Sequence, residues 1–494
     1  NLFPKGLSQE GEEGHLHYSQ NKETVRCINC HLHVGHYDED AVMAKNIDFG
    51  MTEEEEVEIY NEPAKIDTFA DYTEYVPGTS VSFDMKSIPG GTFTMGATKP
   101  DVYQQNNNRQ RRVTVTSFYM DETEITNNEY RQFVHWVRDS IVHRILGLMD
   151  DPEMYGEHFL RDDEGMFVNR CFESGGECYA IDWSQDIEWD NPEVQLLLEQ
   201  EGYMLPEEEQ FYYRSKFDWR KLNYDYFWID YQAAASRNNR AQGLEDRSAF
   251  IVNPDPINVY PDTLVWVRDF AYSYNEPMTQ KYFWHPSYDH YPVVGVNWKQ
   301  AKAFSIWRTQ LHNGYLSSQG VSYINDYRLP TESEWEWAAR GGLDLNKYPW
   351  GGPYIRNSDG CFLANYKPLR GNLVDDGGFH TVIVAHYAPN DWGLYDMAGN
   401  VAEWTSDAFD ESAYNYGSDF NQQISYNAKE GDSPAQKRKV IRGGSWKDIG
   451  YYIRNGVRTF EYQDTAKSYI GFRNVQTYLG RAKGDGPDAS NIYN

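Results

Sequence analysis

The hydrophobic pattern of this chain changes period several times. After IPGG, Thr92-Phe93-Thr94-Met95 alternates polar and apolar positions, which predicts a half-buried strand entered through a Pro-Gly-Gly turn. From Thr126 the period lengthens: Tyr130, Phe133, Val134 and Val137 recur at helical spacing behind Thr126 or Asn127 as cap. Trp298, Ala301, Phe304 and Trp307 define the apolar face of a second helix. A third is predicted in PTESEWEWAARGG, where Thr331 and Glu334 form a capping box and Gly341-Gly342 supplies the stop. Elsewhere the periodicity fades. Residues 1–50 are rich in His, Gly and charge, 51–85 read as an acidic, Pro-punctuated linker, and 481–494 form a polar tail. A Tyr-, Asp- and Glu-rich insertion at about 139–290 interrupts the domain that spans 86–480.

Composition narrows the functional classes. The net charge of −30 repels nucleic-acid phosphates and anionic lipid heads, so neither is an expected partner. The 39 Tyr and 15 Trp suit a loop-rich fold pinned by large amphipathic side chains. No run of about 18 apolar residues is present to span a bilayer. The start at Asn1, without Met, reads as a processed or incompletely represented N-terminus, with room for a signal, lipid anchor or membrane helix upstream. Cys171 and Cys178, in CFESGGEC, are spaced for a loop disulfide or are free thiols, and Cys361 is left single.

Eight segments resemble, in order, the motifs of the formylglycine-generating-enzyme, or sulfatase-modifying factor, fold. They are IPGGTFTMG (88–96), MDETEITNNEYRQFV (120–134), YPVVGVNWKQAKAFSIWR (291–308), RLPTESEWEWAARGG (328–342), YPWGG (348–352), GLYDMAGNVAEW (393–404), VIRGGSW (440–446) and SYIGFR (468–473). The resemblance covers about residues 86–478 and implies an α+β, C-type-lectin-like fold with little regular secondary structure. Segments such as YPDTLVWVRDFAYSYNEP, KYFWHPSYDHYPVVGV and GCFLANYKPLRGN further resemble the GldK/PorK gliding-motility and type IX secretion lipoproteins. That likeness implies a periplasmic, outer-membrane-associated scaffold that forms a ring with a GldN/PorN-like partner and with copies of itself.

Catalytic members of the superfamily carry a redox-active thiol pair just after RGGS, which binds copper and relays electrons from the substrate cysteine to oxygen. Here Asp448 and Ile453 stand at the aligned positions, and no Cys follows Cys361. No HxxxHxE spacing is present to suggest the three-His iron site of the ergothioneine-type branch. A pseudoenzyme is therefore expected, with no catalytic residues. The resemblance also implies structural Ca²⁺, one ion at Asn400, Val401 and Glu403, another at Asn365 and Tyr366 with Asp375 or Asp376. The alternative at the first position is a capped turn, with Asn400 satisfying backbone groups and Glu403 paired with Arg442 or Arg473.

One feature lies outside that family. CINCHLHVGHY places Cys27, Cys30 and His31 in a C-x-x-C-H pattern, in which two thioethers fix the porphyrin vinyls and the adjacent imidazole reaches iron. Covalent haem c is expected, with His31 proximal and His36, His17, His15 or a residue of another chain distal. A zinc clip or a simple disulfide are the alternatives. The run also resembles a haem segment of NapC/NrfH multihaem cytochromes, although only one C-x-x-C-H is present. That likeness implies electron transfer with other cytochromes at the inner membrane as the alternative function.

Overall fold

The computed structural model describes residues 85–478 apart from 99–107, 150–156, 162–164, 169–178, 211–215, 242–249, 253, 270–277, 279–280, 319–323 and 369–371. The haem segment and the acidic linker up to residue 84, the Cys171/Cys178 pair and the polar tail lie outside the described residues. The chain divides into two compact units, one formed by Glu129–Pro261 and the other by the remainder. Among the described residues no helix is long and apolar enough to cross a membrane.

Chain order in the larger unit runs β1 (Met85–Ile88), β2 (Gly91–Met95), β3 (Arg111–Val115) and β4 (Phe118–Asp121), then helix α1 (Asn127–Gly147), which leads into the smaller unit. The larger unit resumes with helix α2 (Trp298–Ser318), β5 (Tyr327–Arg328) and helix α3 (Glu332–Arg340). It ends with β6 (Ala402–Ala408), β7 (Arg438–Arg442), β8 (Thr459–Tyr462), β9 (Ile470–Gly471) and β10 (Val475–Thr477). One antiparallel sheet has the order β1-β4-β10-β5, so the strand latest in sequence lies between two of the earlier ones. A second sheet has the order β8-β7-β6-β9, in which β9 joins β6 in parallel and the β6–β7 register shifts between Trp404 and Ala408. β2 and β3 form a separate hairpin, with Phe93 opposite Val113. Mixed helix and sheet with long irregular connections is the α+β organisation expected from the sequence.

The predicted elements form for the reasons their patterns suggested. Phe93 and Met95 turn inward from β2. Trp298, Ala301, Phe304 and Trp307 are buried along α2. In α3 the Thr331 hydroxyl accepts from Glu334 N and the Glu334 carboxylate accepts from Thr331 N, satisfying two otherwise orphaned amides. Gly341 ends the helix at φ 58°. Every residue of α3 is buried, including Glu332, Glu334, Glu336 and Arg340. Its apolar residues Trp335, Trp337 and Ala338 join Ile88, Phe118, Met120, Met397 and Val475 in the main core.

Charges inside a core are tolerated only when paired. Glu332 receives Arg458 through Nε at 2.8 Å and Nη2 at 2.9 Å. Glu336 accepts from Arg340 of the next turn and from Arg442 of β7. The third helix is thereby fastened electrostatically to the second sheet.

In the smaller unit the Tyr130 hydroxyl donates to Val259 O at 2.9 Å, and the Phe133 ring meets Tyr224 edge-on with centroids 5.2 Å apart. Val142 and Leu146 pack with Val194 and Leu198 of a short helix, Pro192–Gln200, capped by the Asn191 side chain. His143 and His158 share an Nδ1–Nδ1 hydrogen bond of 2.8 Å inside this unit. Its surface exposes Trp183, Trp219, Ile229 and Tyr231.

Candidate functional site at the AGNVAEW and RGGS elements

The segment entering β6 turns through backbone that most residues avoid: Asp396, Gly399 and Asn400 have φ of 55, 87 and 55°. Gly399 has no alternative, because a Cβ there would lie 2.2 Å from Asn365 O. This turn presents Asn400 to three surrounding segments. Its N donates to Asn365 O at 2.8 Å and its Nδ2 to Glu124 Oε2 at 2.7 Å. Its Oδ1 accepts from Val382 N at 3.0 Å and from Asn365 Nδ2 at 3.3 Å. Val401 N donates to the other Glu124 oxygen at 3.0 Å.

Glu403, three residues on, belongs to a different cluster. Its carboxylate accepts from Arg473 Nε and Nη2, and from Trp335 Nε1 at 2.7 Å. Asn400 and Val401 therefore bind Glu124, with Asn365 joined through Asn400, while Glu403 is held by Arg473, one of the two arginines weighed for it. Burial, reinforced by the charges of Asp396 and Glu403, pushes the Glu124 carboxyl well above the usual carboxylate range. Burial raises Asp396 to about 6. Glu124 and Asp396 had no local spacing to distinguish them from surface acids; the only signal was Glu124 standing inside an apolar-flanked DETEIT segment.

The second group of predicted ligands is brought together by the 363–382 segment. Asn365 Nδ2 donates to His380 O at 2.8 Å, while Asn365 Oδ1 is buried without a hydrogen-bond partner. Tyr366 N donates to Asp376 Oδ2 at 2.6 Å, and burial pushes the Asp376 carboxyl up to about 7. Asp375 points elsewhere and pairs with Arg356 at 2.8 Å. Among the described residues no three His, Cys, Asp or Glu side chains converge as a metal site. A hard cation here would draw on Asp376 and on amide and backbone oxygens, among which the orphaned Asn365 Oδ1 is suited by its chemistry.

The RGGS element leaves β7 through Gly443 and Gly444, at φ of 88 and 65°. Ser445 donates to Asp448 Oδ2 through its N at 3.0 Å and its hydroxyl at 2.7 Å. Lys367 N donates to Asp448 O at 2.8 Å, and burial raises the Asp448 carboxyl. Ile453 is fully buried among Tyr348, Phe362, Ala364, Tyr366 and Ala398. A carboxyl tied to its own turn and a branched hydrocarbon in an aromatic cluster offer neither a nucleophile nor a soft ligand for copper. Cys361 is disulfide-bonded, which corrects the expectation that it stands single. Its partner lies outside the described residues, as do Cys27, Cys30, His31, His36, His17 and His15.

Compared with known proteins, residues 76–478 match the family described as the sulfatase-modifying factor enzyme 1-like domain. The formylglycine-generating enzyme of Mus musculus is 25% identical over 408 residues, covering 81% of this chain and 76% of that protein. The inactive C-alpha-formylglycine-generating enzyme 2 of Bos taurus is 32% identical over 202 residues, covering 40% of this chain and 53% of that protein. Among solved structures, PvdO from Pseudomonas aeruginosa aligns at 17% identity with a TM-score of 0.40, over 82% of this chain and 100% of that one.

Proposed function

We propose, from the premise that this chain belongs to the sulfatase-modifying factor family, that it is a non-catalytic scaffold of the GldK/PorK kind. In this reading it serves a type IX secretion and gliding machinery in the periplasm, associated with the outer membrane, and carries one covalent c-type haem ahead of the domain. The observation that carries the non-catalytic part is the replacement of the thiol pair by Asp448, bonded to Ser445, and Ile453, sealed in an aromatic cluster. The similarity to a protein named as an inactive member of the family supports the same reading. The ring role is supported by the inserted segments that resemble GldK/PorK and by the exposed Trp219 and Tyr231 of the smaller unit, side chains of the kind that anchor protein interfaces. A GldN/PorN-like subunit and neighbouring copies are the proposed partners. Calcium is proposed at Asn365, Tyr366 and Asp376, and at Asn400 and Val401, as support for the two turns.

In the haem segment Cys27 and Cys30 would supply the thioethers and His31 the proximal ligand, with His36, His17 or His15 distal. The haem itself supplies one-electron transfer. The C-x-x-C-H pattern is also the observation that favours a second reading, an electron-transfer subunit of NapC/NrfH-like parentage, docked by its pseudoenzyme domain into a redox complex at the inner membrane.

Intact mass and a pyridine haemochrome assay test the haem in protein from a host competent in c-type maturation: about one haem per chain supports it, and colourless protein of unmodified mass ends it. Affinity capture with a GldN/PorN-like subunit, followed by electron microscopy, separates the two functions. Ring particles support the scaffold, and a monomer indifferent to that subunit refutes it. Oxidation of a cysteine peptide to formylglycine by the purified chain would overturn the non-catalytic reading outright.

A further inference from the structure

β6 and β7 run out side by side. Ala408 pairs with Lys439, and one step further Phe409 N donates to Arg438 O at 3.0 Å. The segments beyond this sheet end line an open cleft of about 540 Å³, a volume within the range of small-molecule sites. Its walls carry both signs of charge, with Asp410 and Glu411 following β6 and Arg438 opening β7, and its apolar surface comes from Phe409, Tyr416 and Tyr426.

The charged groups are built in place. The Asp410 carboxylate accepts from the Tyr416 hydroxyl at 2.6 Å and from Ser412 N at 2.7 Å, bonds that hold its carboxyl below the usual range and keep it ionised. The Arg438 guanidinium lies 4.4 Å from the centroid of the Phe460 ring, and its Nε is buried without a hydrogen-bond partner. Among the described residues it makes no ion pair, whereas Arg442, Arg458 and Arg473 of the same unit each meet a buried glutamate. Arg438 thus sits on an aromatic face with no carboxylate among the described residues to neutralise it. The facing wall is braced as well: Lys439 Nζ donates to Tyr426 O at 2.6 Å and the Tyr426 hydroxyl to Asp432 at 3.1 Å.

We propose that this cleft binds a small zwitterion of the amino-acid or short-peptide class, its carboxylate on Arg438, its ammonium against Asp410 and Glu411, and its apolar part along Phe409 and the two tyrosines. A simple anion would face the two acids and a simple cation would face the guanidinium, so a ligand carrying both charges is the one this lining does not repel. The planar guanidinium fork matches a carboxylate through two parallel hydrogen bonds.

The test is calorimetric titration of the full chain with L-leucine and with the dipeptide Ala-Leu, against N-acetyl-leucine and leucine amide, which each lack one charge. Saturable binding of either zwitterion, weakened about tenfold or more by either cap and by Arg438→Gln or Glu411→Gln, supports the site. Arg438→Lys, which keeps the charge and loses the fork, is expected to fall between, and thermal melting confirms that each variant is folded. Glu411 is exposed, so its substitution leaves the fold intact and keeps the test decisive if Arg438→Gln does not fold. Absence of saturable binding by both zwitterions overturns the proposal. So does equal binding of the capped forms, or affinity indifferent to both Glu411→Gln and a folded Arg438 variant.

Discussion

Arg473 holds Glu403 through two nitrogens, Nε at 2.8 Å and Nη2 at 2.7 Å, with both side chains out of solvent. The same guanidinium faces the charges of Glu124 and Asp396, so one cation compensates a whole group of acids. Replacing Arg473 by Met leaves Glu403, fully buried, with Trp335 as the side-chain donor described for it. A loss of about 3–5 kcal/mol follows, the usual result of removing one partner of a buried pair. Urea unfolding monitored by tryptophan fluorescence measures it, and a midpoint unmoved from the parent's would contradict the pairing.

The Thr331 cap carries a smaller, cleaner expectation. Its hydroxyl is the acceptor for Glu334 N, and Glu334 is anchored independently by Arg328, with both contacts at 2.7 Å. Thr331→Ala should therefore cost about 1 kcal/mol, and Thr331→Ser close to nothing. Paired thermal melts distinguish the cap from the bulk of the side chain.

Gly399 is highly sensitive to a single methyl group. Its φ of 87° and the 2.2 Å approach to Asn365 O combine strain with collision, and the neighbour is backbone that cannot swing aside. Gly399→Ala should destabilise by at least about 2 kcal/mol and disorder the Asn400–Glu124 contact. Amide exchange at Asn400 and Val401 reports the second effect directly, and unchanged protection there would count against it.

A pH experiment reads the buried carboxyl of Asp407. Burial pushes it from 3.8 up to about 7, against the opposing hydrogen bonds from Glu332 N and Ile424 N. A carboxyl that binds its proton more tightly when folded adds stability that is complete below about pH 4 and disappears as pH rises through about 7. Burial lowers His312 to about 4, so that group acts in the opposite sense, gaining stability between about pH 4 and 6.5. The difference between the parent and Asp407→Asn cancels the histidine. The parent should lose stability relative to the variant by up to about 1.4 kcal/mol per pH unit in this window. Parallel profiles would show that Asp407 is ionised throughout.

Local order was far more legible in the sequence than long-range pairing. The strand at Phe93, the helices behind Asn127 and Trp298 and the capped helix at Thr331 all follow from period and cap chemistry, which act within a few residues. The missing thiols were equally plain, because a residue type at a motif position needs no geometry. Glu332 and Arg458 are 126 residues apart, and Glu124 and Asn400 are 276 apart. No spacing rule joins such pairs, so the acids that organise the candidate site read as ordinary surface charge. The charged cleft beside Arg438 escaped for the same reason, since it is assembled where two strands end and not by any contiguous motif.

The strand order β1-β4-β10-β5 has a consequence for how the protein is made. β4 takes one of its two neighbours from the far end of the domain, and Asn474, just before β10, donates to Asp121 across a sequence separation of 353. While the ribosome is still translating the middle of the message, the N-terminal strands have a gap where β10 will later lie, and Met120 and Tyr119 lack the backbone partners they find in Val475 and Gln476. Closing so long a loop is entropically slow. The larger unit is thus obliged to mature only once β10 has been made, and until then its nascent chain is a natural client for any factor that holds polypeptides unfolded.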